Sequence, residues 1–161
     1  MRARFRSSLF VVVVLAMAAG LAPASAAAEL PACLSAEEQH AFNLRHLQSR
    51  FMVAALACNQ REAYNEFVIR FRPALARAGE RLIGYFTRAG GGQAAINKHI
   101  TDLANAAGLR RAEDPDSYCA RTWRLFWQLE QAPPDLPKVA AGNLIADIAL
   151  PPVCETNVAV E

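Results

Sequence analysis

Two stretches decide the fold of this chain: SAEEQHAFNLRHLQSRFMVAALAC (residues 35–58) and REAYNEFVIRFRPALARAGERLIGYFTR (residues 61–88). Apolar residues recur in both at spacings of three and four, which is typical of amphipathic α-helices. The polar break between them, Asn59-Gln60, is so short that it predicts an antiparallel pair of neighbouring helices over residues 35–88. This pair carries more apolar surface than it can bury alone, so we expect the rest of the chain to cover it.

The start of each long helix carries a capping signal. Ser35 is typical of an N-cap, and Glu38 three residues later completes a capping box. Asn59 is predicted to cap the second helix, with Glu62 at the matching position.

Pro73 interrupts the second helical pattern. Proline has no backbone N–H to donate and its ring clashes with the preceding turn, which predicts a kink near Arg70. A full break into two shorter helices is the alternative.

The remaining chain predicts shorter helices. Three glycines at 90–92 end the second helix, and residues 110–115 form a charged linker in which Asp114 or Asp116 caps the next helix. The later helices are expected at residues 93–109, 117–131 and 136–149. Because no stretch alternates apolar and polar residues over a strand length, we predict an all-α, bundle-like domain of four to five helices over residues 27–161.

The N-terminus has the three-part layout of a secretory signal peptide. Three arginines at positions 2, 4 and 6 precede an apolar run over residues 9–21, and Ala24-Ser25-Ala26 offers small residues for cleavage. We predict a signal peptide over residues 1–26, with cleavage after Ala28 as the alternative. A lipidated Cys33 is disfavoured because it lies far from the apolar run. We therefore expect a periplasmic or secreted protein without a transmembrane segment after cleavage.

The charge of the exported part argues against a polyanionic partner. The chain has 17 Lys and Arg against 15 Asp and Glu, and residues 1–26 hold three arginines and no acid. The remainder therefore has 14 basic and 15 acidic residues, a net charge of −1. A domain this close to neutral lacks the long-range field that attracts nucleic acid, so we expect no nucleic-acid partner.

Four cysteines follow the signal region, and an even number in an oxidising compartment predicts two disulfides. Cys33 and Cys58 flank the first helix and would lie more than about 30 Å apart, which excludes their pairing. Two pairings remain: Cys33–Cys119 with Cys58–Cys154, and Cys33–Cys154 with Cys58–Cys119. Following the helices up and down the bundle brings Cys119 to the same end as Cys58, so we favour Cys58–Cys119 with Cys33–Cys154.

Known catalytic and metal-binding motifs are missing from the sequence. It contains no H-E-x-x-H, G-x-S-x-G or P-loop pattern, and we expect no cofactor, no metal and no enzymatic activity. His40 and His46 are six residues apart and point in different directions. His99 and Asp102 could form a base with its orienting acid, but we expect His99 to be a solvent-facing side chain beside that acid.

An arginine stripe is the one patterned polar feature. Its members are spaced seven, four and seven residues apart, and on a regular helix they fall within about 40° of one another. Such a stripe could bind a carboxylate or phosphate, although a solvated helix face explains it as well. The stripe consists of Arg70, Arg77, Arg81 and Arg88.

Trp123 and Trp127 lie four residues apart, with Phe126 between them. We expect the tryptophans to be in the core, because aromatic residues dominate small cores. The alternative is that one of them lines a groove for a partner. Together with the four arginines, these two tryptophans are the candidate ligand-binding residues.

Two kinds of binding function compete. The first is an interaction module that binds an unknown periplasmic protein, and the second is a carrier that holds a small apolar or anionic molecule between helices, with the arginine stripe at its mouth. An enzyme is the third and weakest hypothesis.

Overall fold

Six helices make up the part of the chain that the computed structural model describes, residues 33–131, 135–143 and 148–154. Of these residues 82% are helical, far above the usual one-third, and the described residues contain no strand beyond one isolated bridge between Leu34 and Val153. The predicted all-α class is therefore confirmed, with six helices instead of four to five. They are α1 (Ala36–Ala57), α2 (Arg61–Arg70), α3 (Arg72–Arg88), α4 (Gly92–Glu113), α5 (Pro115–Gln131) and α6 (Leu136–Ala141).

Helix α1 is the centre of the fold, because it packs against all five other helices. The apolar residues Phe42, Leu47 and Phe51 are at most 1% exposed, as the amphipathic pattern predicts. The polar residues His46 and Ser49 are nearly as deeply buried. A helix with one solvent face would leave such residues exposed, so their burial shows that α1 is covered on several sides.

The first and third helices run antiparallel, as predicted for residues 35–88. Arg88, the last residue of α3, donates hydrogen bonds of 2.8 and 3.0 Å from its guanidinium to the carboxylate of Glu38 in the first turn of α1. The capping box at this end is also confirmed, because Ser35 Oγ accepts from the Glu38 amide and Glu38 Oε2 accepts from the Ser35 amide. Glu38 thus joins two helices and caps one of them.

The second predicted helix is divided at Phe71. Its backbone torsions, φ −101° and ψ 13°, leave the helical range, so α2 ends at Arg70 and α3 begins at Arg72. Pro73 lies in the first turn of α3, where a missing N–H costs least. A continuous kinked helix is therefore wrong, and the alternative of two shorter helices is correct.

The turn before α2 differs from the prediction. Gln60, and not Asn59, is the residue that precedes the helix, and its side chain makes no capping hydrogen bond. Asn59 has φ 57°, a left-handed conformation that asparagine tolerates better than most residues. Asn59 therefore turns the chain after the end of α1, and the predicted cap at this position is wrong.

Helix α4 runs through most of the segment expected to be a linker. It extends to Glu113, four residues beyond the predicted end, because Arg110 and Arg111 in its last turn favour the negative end of the helix dipole. Asp114 takes an extended conformation, as the residue before a proline does. Its carboxylate accepts a hydrogen bond from the Ser117 amide at 3.1 Å, so Asp114 is the cap of α5.

The last helix is shorter than the predicted 136–149. Helix α6 ends at Ala141, and Gly142 and Asn143 form a turn. Asp135 caps α6 by accepting from the Lys138 amide at 3.1 Å. The expected segment also includes 144–147, which lie outside the described residues, as does the expected signal peptide over residues 1–26.

Two groups of aromatic rings lie in the bundle core, one around Phe51 and one around Phe42. Phe51 of α1 lies 4.9 Å from Phe67 of α2, edge to face, and 4.0 Å from Phe126 of α5, measured between ring centroids. Phe42, which precedes Phe51 by nine residues on α1, makes an edge-to-face contact with Tyr85 of α3, with 5.1 Å between ring centroids. An edge-to-face pair of rings stabilises the fold by about 0.5–1.5 kcal/mol beyond the free energy gained from burying the rings.

Both predicted disulfides are present. Cys58–Cys119 joins the end of α1 to the second turn of α5, and Cys33–Cys154 ties the segment before α1 to the tail. Beside the second bond, Leu34 is fully buried, and its amide donates to the Pro152 carbonyl at 2.8 Å. The pairing derived from helix lengths is thus confirmed.

None of the helices among the described residues combines the length and hydropathy that a membrane span requires.

Candidate binding surfaces

The arginine stripe is divided between two helices and two kinds of environment. Arg70 belongs to α2, where its guanidinium donates to the Glu130 carbonyl at 3.2 Å and lies over the Phe71 ring. Arg88 donates two hydrogen bonds to the Glu38 carboxylate, and these bonds lower the pKa of Glu38. These two arginines are bound to the protein itself, so the expected continuous stripe of four is wrong.

Arg77 and Arg81 differ from the other two, because both line a groove between α1, α3 and α6. They lie one helical turn apart on α3 and are exposed, and neither forms an ion pair with a carboxylate among the described residues. Side chains four residues apart on a helix are neighbours, so both guanidinium groups can reach one anion.

The groove has an apolar interior and a charged rim. Its volume is about 500 Å3, within the usual range for small-molecule sites. The four polar lining residues are Arg77 and Arg81 on α3 and Glu37 and His40 on α1, and the charges at the rim sum to +1 with His neutral. The apolar lining consists of Ala41, Leu44, Phe71, Ala74, Ala78, Leu136 and Pro137.

Trp123 and Trp127 are both exposed, at 56% each, so the expectation that they belong to the core is wrong. The reason is the register of α5. The face that meets the other helices carries Tyr118, Thr122 and Leu129. Trp123 follows Thr122 by one residue, a rotation of about 100° that carries its side chain away from the core.

A second groove lies between α2 and α5, the helix that also carries the two tryptophans. Its volume is about 260 Å3, and its lining includes Phe126 and Leu129 at the bottom and Glu66, Ile69 and Glu130 at the edges. Trp123, Trp127 and Glu130 recur at intervals of four and three residues, which places them on one face of α5. Ile69 on the α2 side is 66% exposed.

We call the surface formed by Trp123, Trp127 and the α2–α5 groove the tryptophan face. Large apolar side chains stand on both helices that border it, with acidic residues between them. Clustered exposed apolar residues rimmed by polar ones are typical of protein-binding sites.

Two histidines meet inside the bundle. The rings of His46 on α1 and His99 on α4 lie 6.0 Å apart between centroids, and His99 also packs on Phe42 and Phe86. Burial, together with the positive field of His99 and Arg50, lowers the pKa of His46 to about 4. Burial also lowers the pKa of His99. Both rings are therefore neutral at pH 7, and a solvent-facing His99 is wrong.

The possible pairing of His99 with Asp102 as a base and its orienting acid does not form. Asp102 Oδ2 accepts from Lys98 Nζ at 2.7 Å, and the buried His99 Nε2 makes no hydrogen bond to any described residue. Within the described ranges, no group of three or more His, Cys, Asp or Glu side chains is arranged to hold a metal ion.

Two features of these surfaces have no signal in the sequence: the acidic partner of Arg88 and the α6 wall of the larger groove. Glu38 was identified for its capping role, and nothing in its spacing indicates a contact with a residue 50 positions later. Leu136 and Pro137 reach the groove because α6 packs on α1, a long-range contact that helical periodicity does not encode.

Comparisons with known proteins give no match: no family model, no curated protein and no solved structure resembles this chain significantly. The geometry of these surfaces is therefore the basis for assigning a function.

Proposed function

We propose that this protein is an exported, non-catalytic binding protein that docks a partner protein through the tryptophan face. The exposure of both tryptophans on one face of α5 carries this proposal. Tryptophan is enriched among residues that dominate interface energies, and exposing two such side chains to water has no benefit for folding.

The charges at the groove indicate what kind of segment fits. Glu66 and Glu130 are exposed at the groove, whereas the guanidinium of Arg70 is engaged with a main-chain carbonyl. A partner segment with apolar side chains flanked by Lys or Arg would complement the groove, and a cation can also stack on an indole ring.

Export is the second part of the proposal. The signal-peptide layout of residues 1–26 supports it, and two disulfides are compatible with an oxidising compartment. N-terminal sequencing of protein isolated from the envelope should find a mature chain that begins at Ala27 or Glu29. A retained Met1 would contradict export through a cleaved signal.

A capture experiment tests the docking surface. The oxidised mature protein is immobilised and exposed to a periplasmic extract, in parallel with the double variant Trp123→Ala/Trp127→Ala and with Leu109→Ala. Leu109 is the matched control, because it is 65% exposed at the far end of α4. We expect a protein that the native chain and the control retain and that the double variant loses.

Fluorescence then locates the contact. The chain contains only two tryptophans, Trp123 and Trp127, so its tryptophan emission reports directly on this face. Binding of the captured protein, or of a tryptophan-free fragment of it, should shift the emission to shorter wavelength as the rings leave water. Equal capture by the double variant, or emission that does not change on binding, would contradict the proposal.

A small-molecule carrier is the second candidate function. The observation that favours it is the unpaired state of Arg77 and Arg81 above an apolar groove, compared with the engaged state of Arg70 and Arg88.

A further inference from the structure

We infer that the groove between α1, α3 and α6 binds a small single-chain amphiphile with an anionic head, of the medium-chain carboxylate class. This inference deepens the carrier candidate and does not require the tryptophan face. It concerns one site, in which Arg77 and Arg81 receive the head group and the apolar interior receives the chain.

The head-group end is defined by charge. Arg77 and Arg81 are adjacent on the exposed side of α3, and neither forms an ion pair with a described carboxylate. The planar guanidinium presents several N–H donors in the geometry that a carboxylate accepts. Glu37 stands on the opposite rim, so a cationic head group would meet two like charges for each favourable one.

The chain end is defined by burial. Leu44 and Leu136 are at most 7% exposed in the described structure and form the interior with the half-buried Phe71. Small side chains at Ala41, Ala74 and Ala78 leave the space between the helices open. An aliphatic chain laid against these groups gains about 25 cal/mol per Å2 of apolar surface removed from water.

The size of the groove limits the ligand. At about 30 Å3 for each water-sized group, a volume of about 500 Å3 holds roughly 16 such groups. Decanoate, with 12 non-hydrogen atoms, fits this limit, whereas a diacyl phospholipid is several times too large. A single-chain amphiphile therefore matches the size of the groove better than a diacyl lipid does.

Calorimetric titration of the oxidised mature protein tests the site, with decanoate kept below its micelle-forming concentration. Decan-1-ol tests the chain without the charge, and acetate tests the charge without the chain. We expect decanoate to bind at least tenfold more tightly than either. The double variant Arg77→Gln/Arg81→Gln should weaken decanoate binding by roughly 10- to 100-fold, the value of one or two hydrogen bonds to a charged group.

Arg72→Gln is the matched control, since Arg72 is exposed on the same helix and does not line the groove. It should bind decanoate as the native protein does. A second variant, Ala74→Met, fills the groove and should reduce binding without changing the charge. Because Arg77 and Arg81 are exposed, their replacement should leave the melting temperature unchanged, which is measured in parallel.

Three results would overturn the inference: no decanoate binding at millimolar concentration, equal binding by the double arginine variant, or equal binding of decan-1-ol. Tryptophan emission separates this site from the tryptophan face, because no residue of α5 lines the groove. Decanoate should leave the emission unchanged, and a shift to shorter wavelength would place the ligand on the tryptophan face instead.

Discussion

Lowering the pH from 7.5 to 5.0 should destabilise this protein through the buried ring of His46. His46 is fully buried and faces His99 on α4 and Arg50 on its own helix, so protonation would place a charge in a dry and already positive environment. The pKa of His46 is about 4 in the folded protein, compared with 6.5 in the unfolded chain. Between these values the unfolded chain binds more protons, so stability is full above pH 6.5 and is lost as the pH falls towards 4.

The magnitude follows from this interval. Each pH unit within it costs about 1.4 kcal/mol, so a fall from 6.5 to 5.0 removes about 2 kcal/mol from the free energy of unfolding. The lowered pKa of His99 acts in the same direction. Measurements stop at pH 5.0 because Glu38, whose pKa Arg88 holds below 4.5, contributes stability that is lost only as the pH falls further.

Urea unfolding at pH 7.5 and pH 5.0, followed by far-UV circular dichroism with the disulfides intact, measures this loss. The variant His46→Gln should lose less stability over the interval than the native protein. His40→Gln is the matched control: His40 is exposed, so its replacement should leave the loss of stability between pH 7.5 and 5.0 unchanged. Equal stability of the native protein at both pH values, or an undiminished loss in His46→Gln, would show that protonation of His46 does not destabilise the fold. NMR titration of the His46 ring should give a midpoint near 4.

Three further substitutions test what stabilises the fold: a disulfide, a buried aromatic ring and a helix cap. Replacing Cys58 and Cys119 by alanine should lower the free energy of unfolding by about 4 kcal/mol in the chain-entropy model, because the bond joins residues 61 positions apart; a melting temperature equal to that of the native protein would contradict this. Phe51→Ala should cost about 3–5 kcal/mol in urea unfolding, because the ring is fully buried, and a loss below 1 kcal/mol would argue against the group of rings around Phe51. Ser35→Ala should cost about 1 kcal/mol by the same assay, and a loss that also occurs in Ser35→Asp, which preserves the cap acceptor, would exclude capping as its cause.

Several features of the fold were predictable because they depend on local rules. The helical class follows from apolar spacing, and the capping box at Ser35 follows from four consecutive residues. The disulfide pairing was also within reach: the length of α1 excludes Cys33–Cys58, and following the helices up and down the bundle brings Cys119 to the same end as Cys58. The break at Phe71 was one of two alternatives, and proline by itself does not choose between a kink and a break.

The candidate surfaces depended on contacts that no local pattern encodes. Periodicity identifies the arginines as a stripe, but the contacts of Arg88 with Glu38 and of Arg70 with the carbonyl of residue 130 separate them from the pair over the groove. The tryptophans were assigned to the core because large aromatic residues gain most from burial. The neighbouring helices determine which face of α5 is buried, and both tryptophans lie on the opposite, solvent-exposed side.

Propensity, capping and chain length were enough to locate the helical segments and most of their ends, and to exclude a bond between Cys33 and Cys58. The tertiary structure alone decided the burial of His46, the two grooves and the exposure of Trp123 and Trp127. The physical reason is that a side chain's environment is set by helices distant in sequence. Helix α1 illustrates this: its polar residues look solvent-facing along the chain, yet five surrounding helices place them inside.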